Sequence, residues 1–119
     1  ENAINWTTDG ANAGTVNFRK GKFYSTNVNG VLLSDKGFAN KAISEIINKI
    51  AWKHVSKVGN PKLMNNVMSE ISIVIPKSIS EQIKIANFLS AIDEKINHCK
   101  LQIEKTLLYK KGLLQKMFC

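Results

Sequence analysis

Polar and basic side chains crowd into the turns of the first 66 residues. Arg19, Lys20 and Lys22 flank a single turn, and their charges are of the kind that grip phosphates. Amide and hydroxyl groups that can hydrogen-bond to base edges belong to Thr7, Thr8, Asn12, Asn27 and Asn29. A second polar cluster comprises Lys57, Asn60, Lys62, Asn65 and Asn66. The alternative interpretation of each residue is an ordinary solvated turn position.

The sequence contains no pattern typical of a catalytic or metal site. His54 and His98 stand apart from other ligating residues, and we expect both to be surface or packing residues. Asp9 and Asp35 lie in turns without the paired carboxylate and lysine that a metal-dependent nuclease needs. No glycine-rich nucleotide loop precedes a helix, and the two cysteines fit no zinc or redox motif. We therefore expect no catalysis, no metal and no cofactor, and a reducing cytosol as the compartment.

The formal net charge of +8 is spread along the chain. Residues 1–79 carry ten Lys and Arg against five Asp and Glu, and residues 80–119 carry seven against four. Such a surplus favours a polyanionic partner, because each neutralised phosphate releases a counterion. No apolar run is long enough to cross a bilayer, so we expect a soluble protein. The chain begins at Glu1 rather than Met, which indicates a processed chain or a piece of a longer one.

The elements that must position these residues begin with short strands joined by tight turns over residues 1–37. Turn-forming pairs recur every few residues, among them Asn29-Gly30 and Lys36-Gly37. Between the turns lie β-favouring runs at residues 15–18, 22–26 and 31–33. This spacing predicts a small curled sheet.

The period changes after residue 37. Apolar residues recur three or four apart between Phe38 and Ala51, which predicts an amphipathic helix over residues 38–56. Gly59-Asn60-Pro61 ends it, and a polar loop is expected through Asn66. Alternating isoleucines over residues 71–75 then predict a strand that stops at Pro76.

Residues 78–119 give the clearest pattern. Ser78 and Glu81 have capping-box spacing, and no proline follows them. Apolar residues then fall in a heptad seam, predicted to pair with another helix, at Ile85, Leu89, Ile92, Ile96, Cys99 and Ile103, continuing after a stutter to Leu107 and Leu114. The lysines beside the seam are expected to be solvated flanks of a coiled coil. The fold class predicted is therefore α+β, with a small sheet domain and one packing helix over residues 1–77 and a long coiled-coil helix over 78–119.

Two motifs in this region resemble a known family. The segment IVIP at residues 73–76, followed by EQIKIANFLS at 81–90, resembles the junction between a recognition domain and a conserved helix in the specificity subunits of type I restriction–modification enzymes. The ending KKGLLQKMF at residues 110–118 is similar to the usual close of that family. Together the two matches cover most of residues 71–118. Upstream, the loop GNPKL at residues 59–63 resembles the family more loosely.

The resemblance implies a DNA reader whose chemistry is done by other subunits. Family members have two recognition domains that each read half of a split double-stranded site. Two long helices act as a spacer, methyltransferase subunits dock around them, and restriction subunits join to cleave DNA. This chain would be the C-terminal part of the second recognition domain with its helix, or a truncated subunit that pairs with itself.

Two further hypotheses remain. The chain is alternatively a helical interaction module, whose coiled coil dimerises and whose small domain binds another protein. A self-sufficient nuclease is the third possibility, which the lack of a carboxylate cluster disfavours.

Overall fold

A computed structural model describes residues 2–118 of the chain. Its sheet contains three antiparallel strands, β1 (Asn2–Thr7), β2 (Val16–Lys20) and β3 (Asn29–Leu32), in the order β2-β1-β3. Three helices follow, α1 (Lys41–Ala51), α2 (Asn65–Ser69) and α3 (Ile79–Phe118), and a short 3-10 helix (Trp52–His54) continues α1. The predicted α+β class is confirmed. The chain divides into two compact units, one up to Asn87 and one from Phe88 onward.

Strand β1 is the centre of the sheet. It has a neighbouring strand on each side, and its residues Ala3, Ile4, Asn5 and Trp6 are all buried, so side chains on both faces of the strand are shielded from solvent. Ile4 and Trp6 belong to the core cluster. The sequence patterns had not singled out this strand, which turns out to be the element on which the first unit is assembled.

Helix α1 covers the core side of the sheet. It begins at Lys41, three residues later than predicted, because the Asn40 side chain caps it by accepting a hydrogen bond from Ile43 N at 3.0 Å. Ile43, Ile47 and Ala51 are buried in the same cluster as Ile4 and Trp6. The helix is shorter than the predicted 38–56, since residues 52–54 tighten into a 3-10 turn.

The predicted strand over residues 71–75 is wrong. Ile71, Ile73 and Ile75 do pack against the core, and the residues between them are exposed, so the alternating burial is as expected. Yet the segment forms no ladder with any strand among residues 2–118. Alternation reports which side chains face the core, whereas a strand also needs a neighbouring backbone to pair with.

Three other local predictions are also corrected. Residues 22–26 form no strand. The Asn29-Gly30 pair, predicted as a turn, begins strand β3 instead. Asn65 and Asn66, placed in a loop by the sequence, open the short helix α2, whose Met68 is buried in the core. At Gly30 and in α2, contacts distant in sequence override the local preference, with the Trp6 ring in the first case and with the core in the second.

The start of α3 has the predicted cap. Glu81 N donates to Ser78 Oγ at 3.4 Å and Gln82 N donates to the Ser78 carbonyl at 3.1 Å. Gln82 itself is fully buried. Its Nε2 donates to the Pro76 carbonyl at 2.8 Å, and its Oε1 accepts from Asn40 Nδ2 at 2.9 Å. Gln82 therefore links the capping residue of α1 to the segment that precedes α3.

We expect Gln82→Ala to lower the free energy of unfolding of the first unit by about 1–3 kcal/mol, because the part-buried Pro76 carbonyl loses its donor and Asn40 Nδ2 loses one of its two acceptors. The measurement is the urea concentration at the midpoint of unfolding, monitored through the NMR signals of the backbone amides in the sheet. The control is Gln102→Ala on the exposed part of α3. This substitution should change the free energy of unfolding by less than about 0.5 kcal/mol. Equal midpoints for the two variants would contradict the structural role of Gln82.

Among residues 2–118, the helices lack the combination of length and hydropathy that a membrane-spanning segment needs.

Candidate nucleic-acid interface

One end of the sheet gathers three polar segments of the chain. The end of β1 is joined to the turn that follows it, since Thr7 N donates to the Thr15 carbonyl at 3.0 Å and Gly14 N donates to the Thr7 carbonyl at 2.9 Å. The segment before β3 attaches at the same place, where Thr8 N donates to the Val28 carbonyl at 2.8 Å. The turn after β1 and the entry to β3 therefore flank one strand end.

The loop after α1 is the third segment. Leu63 N donates to the Thr8 carbonyl at 2.7 Å, and Gly10 N donates to the Pro61 carbonyl at 2.9 Å. The Trp6 indole Nε1 donates to the Leu63 carbonyl at 2.9 Å, which holds the loop against the core. Two backbone hydrogen bonds between Ser56 and Lys62 close the loop on itself. The loop is therefore fixed to the end of β1 mainly by backbone hydrogen bonds, which leave most of its polar side chains available for other contacts.

Ten of the thirteen predicted DNA-binding residues lie at or next to this end of the sheet. We name this surface the polar end. Its members are Thr7, Thr8, Asn12, Asn27, Asn29, Lys57, Asn60, Lys62, Asn65 and Asn66.

The members of the polar end differ in how accessible they are. Thr8 is 5% exposed and its hydroxyl donates to Asp9 Oδ1 at 2.7 Å, so its side chain is buried and already has a hydrogen-bond partner within the protein. Thr7 and Asn29 are half-buried, and the other seven are exposed. The Asn29 amide donates to Thr26 Oγ1 at 3.2 Å, which fixes its orientation. A rigid strand end with exposed amides around it suits the reading of base edges.

The basic residues Arg19, Lys20 and Lys22 lie at the opposite end of the sheet. Lys20 pairs with Asn2 at the start of β1, whereas Val16 pairs with Trp6 near its end. Four residue steps along a strand amount to roughly 14 Å. All three side chains are exposed. We name this group the basic turn. The structure places the basic turn away from the polar end, a separation that the sequence alone did not predict.

Two residues near the polar end were missed by the sequence analysis. Asp9 accepts the Thr8 hydroxyl and lies 3.9 Å from Lys62 Nζ, so it orients two predicted residues. Val58 is 91% exposed between Lys57 and Asn60, and an apolar side chain at a loop tip can contact a thymine methyl group. A lone valine in a polar loop was the available signal.

Helix α3 presents the predicted seam along one side. At 3.6 residues per turn, all eight seam positions point within about 40° of the direction of Ile85. The four-residue step that interrupts the heptads returns Leu107 and Leu114 to the same side of a straight helix. Ile92, Ile96 and Ile103 are 40%, 46% and 60% exposed, so the seam lies open in this chain. Leu101 and Leu108 lie on the opposite side and are exposed too.

Comparison with known proteins gives a consistent result. A family model described as the type I restriction modification DNA specificity domain matches residues 1–108. Among curated proteins of Mycoplasma pneumoniae, S.MpnORF201P, a candidate type I specificity subunit, is 38% identical over 96 residues, which are 79% of this chain and 40% of that protein. The type I restriction enzyme MpnII specificity subunit is likewise 38% identical over 96 residues, or 79% of this chain and 28% of that protein. The chain thus spans two fifths or less of these two relatives. No solved structure matches it.

Proposed function

Because this chain belongs to the type I restriction modification DNA specificity domain family, we propose that it binds double-stranded DNA and reads one half of a split recognition site. The observation that supports the proposal is the convergence of three polar segments at one end of the sheet. Exposed amides of Asn12, Asn27 and Asn60 would read base edges there. Lys57 and Lys62 would contact phosphates.

The basic turn has a separate role in this proposal. Its distance of roughly 14 Å from the polar end exceeds the reach of contacts to a single base pair. Arg19, Lys20 and Lys22 would therefore grip the DNA backbone away from the bases that are read. Phosphate contacts of this kind fix the orientation of a reader without adding sequence information.

The division of labour follows the predicted boundary. Residues 1–77 would be the recognition part, and residues 78–119 the helix that pairs with a second apolar helix and docks methyltransferase and restriction subunits. A second copy of this chain would be one such partner helix. We propose no catalytic role and no cofactor for the chain itself, and a cytoplasmic location, where both DNA and partner subunits are found.

A second candidate function is a helix-pairing module without DNA specificity. The open seam of α3 supports it, since five exposed isoleucine and leucine positions on one side of a helix favour burial against another helix. The two functions differ in their response to duplex DNA. A pairing module would show neither a sequence preference nor a dependence on the polar end.

The test is selection from a pool of random duplexes, with sequencing of the bound fraction. We expect an enriched short sequence, and an affinity that falls steeply between about 50 and 200 mM salt. Lys57→Gln with Lys62→Gln should lower the slope of log affinity against log salt by about two, because two phosphate contacts are lost.

The matched control is Lys100→Gln with Lys111→Gln, which removes two exposed lysines of α3. Its slope should equal that of the unchanged chain. A bound fraction without sequence preference, or equal slopes for both double variants, would contradict DNA reading by the polar end.

A further inference from the structure

An exposed tryptophan ends helix α1. Trp52 is 57% exposed, whereas Trp6, the other tryptophan, is 3% exposed. The Trp52 indole Nε1 donates to the Lys49 carbonyl at 3.0 Å, which fixes the ring at the helix end. Lys53 Nζ lies 5.8 Å from the ring centroid. A large flat apolar surface is thus held open to solvent beside a cation.

The surroundings of Trp52 in the sequence are strongly basic. No aspartate or glutamate occurs between Glu45 and Glu70. That interval contains Lys49, Lys53, Lys57 and Lys62, all of them exposed. Asp9 lies 3.9 Å from Lys62 Nζ and offsets part of this charge, and the remaining positive charge favours an anionic partner.

Trp52 is continuous with the polar end. Gly14, in the turn after β1, approaches it so closely that an added Cβ would lie 3.2 Å from Trp52 Cα and 2.6 Å from Val55 Cγ2. Val55 opens the loop that returns to the sheet at Leu63. The turn that contains Asn12 and the loop that contains Lys57 therefore both adjoin the Trp52 segment.

We propose that Trp52 and Lys53 form a further DNA contact at the border of the polar end. The indole would pack on a deoxyribose of the duplex backbone, and Lys53, with Lys49, would neutralise the adjoining phosphates. This contact rests on the proposed function and adds to it an anchor that contributes affinity without sequence information. The occupant is duplex DNA, since the lysine-rich interval complements phosphates and adjoins the predicted reading surface.

The two tryptophans make this contact measurable in the full chain. Acrylamide quenches exposed indoles, so quenching reports Trp52 and hardly Trp6. Titration with random-sequence duplexes should reduce the quenching, while the anisotropy of a dye on the DNA reports binding independently. In Trp52→Phe, which keeps an aromatic ring at this position, binding should persist and the DNA-dependent change in quenching should vanish.

Trp52→Ala should weaken binding about fivefold, equally for selected and random duplexes. Lys53→Gln should lower the salt slope by about one. If DNA binds and the quenching of the unchanged chain stays constant, or Trp52→Ala binds as tightly as the unchanged chain, the contact is refuted while the proposed function stands. An absence of any anisotropy change would refute both. A DNA-dependent change that persists in Trp52→Phe would arise from Trp6 and would also refute the contact.

Discussion

Replacing Trp6 by alanine should lower the free energy of unfolding of the first unit by about 3–5 kcal/mol. The ring is 3% exposed and packs in the core with Ile4 and Leu63. It also fills the space above Gly30, where an added Cβ would lie 2.2 Å from the ring. The substitution removes this packing and leaves the Leu63 carbonyl without its donor. Because small domains have a free energy of unfolding of only about 5–15 kcal/mol, the substitution removes a large part of the stability of this unit.

The measurement is again the urea concentration at the midpoint of unfolding, read from the NMR signals of the sheet amides. Far-UV circular dichroism is unsuitable because the 40 residues of α3 would dominate its signal. Tyr24→Ala is the matched control. Tyr24 is an aromatic residue that is 98% exposed, and its removal should change the free energy of unfolding by less than about 0.5 kcal/mol. If Trp6→Ala and Tyr24→Ala unfold at the same urea concentration, the Trp6 ring does not hold the sheet and loop together.

Trp6 also explains why the sequence misled at Asn29-Gly30. That pair is a common hairpin turn, and the local pattern predicted one. In the structure Gly30 sits across the ladder from Trp6, and only a residue without a side chain leaves room for the ring. The requirement arises from a residue 24 positions away, so no short-range pattern could reveal it.

The central strand was hard to recognise for a related reason. Both faces of β1 are buried from Ala3 to Trp6, so the strand lacks the alternation of apolar and polar residues that marks a half-buried strand. The reverse holds at residues 71–75, where alternation is present and pairing is absent. Periodicity shows which side chains face the core, and ladder partners depend on how the whole unit assembles.

The candidate site was predictable in its residue types and not in its arrangement. Asparagines and lysines in loops indicated the candidates, and backbone pairing then brought ten of them to one end of the sheet. The separation of Arg19 and Lys20 from that end follows from the length of β2 and its register with β1. The long helix was predicted with its cap and bounds because its determinants are local, namely a capping serine and a sustained period.

The seam of α3 carries the second large expected effect. We expect Ile92→Asp with Ile96→Asp to abolish pairing through this helix, because it places two charges where apolar side chains would be buried against a partner. In a purified sample the only helix available for pairing is that of a second copy of the chain, so pairing is measured as dimer formation. The unchanged chain should then have a dimer mass in sedimentation equilibrium, and the double variant a monomer mass with reduced helicity, since an unpaired helix lacks tertiary support.

The matched control adds the same two charges on the other side of the helix. Ser90 and Asn97 are exposed, seven residues apart, and point more than about 100° away from Ile85. Ser90→Asp with Asn97→Asp should keep both the dimer mass and the helicity, since serine, asparagine and aspartate have similar helix propensities. An unchanged mass and helicity in Ile92→Asp with Ile96→Asp would exclude the seam as a pairing surface. A dimer lost equally in both double variants would attribute the effect to added negative charge. Loss confined to the seam variant would instead locate pairing on the side of α3 that the sequence pattern predicts, and the polar end would then belong to an assembly built through this helix.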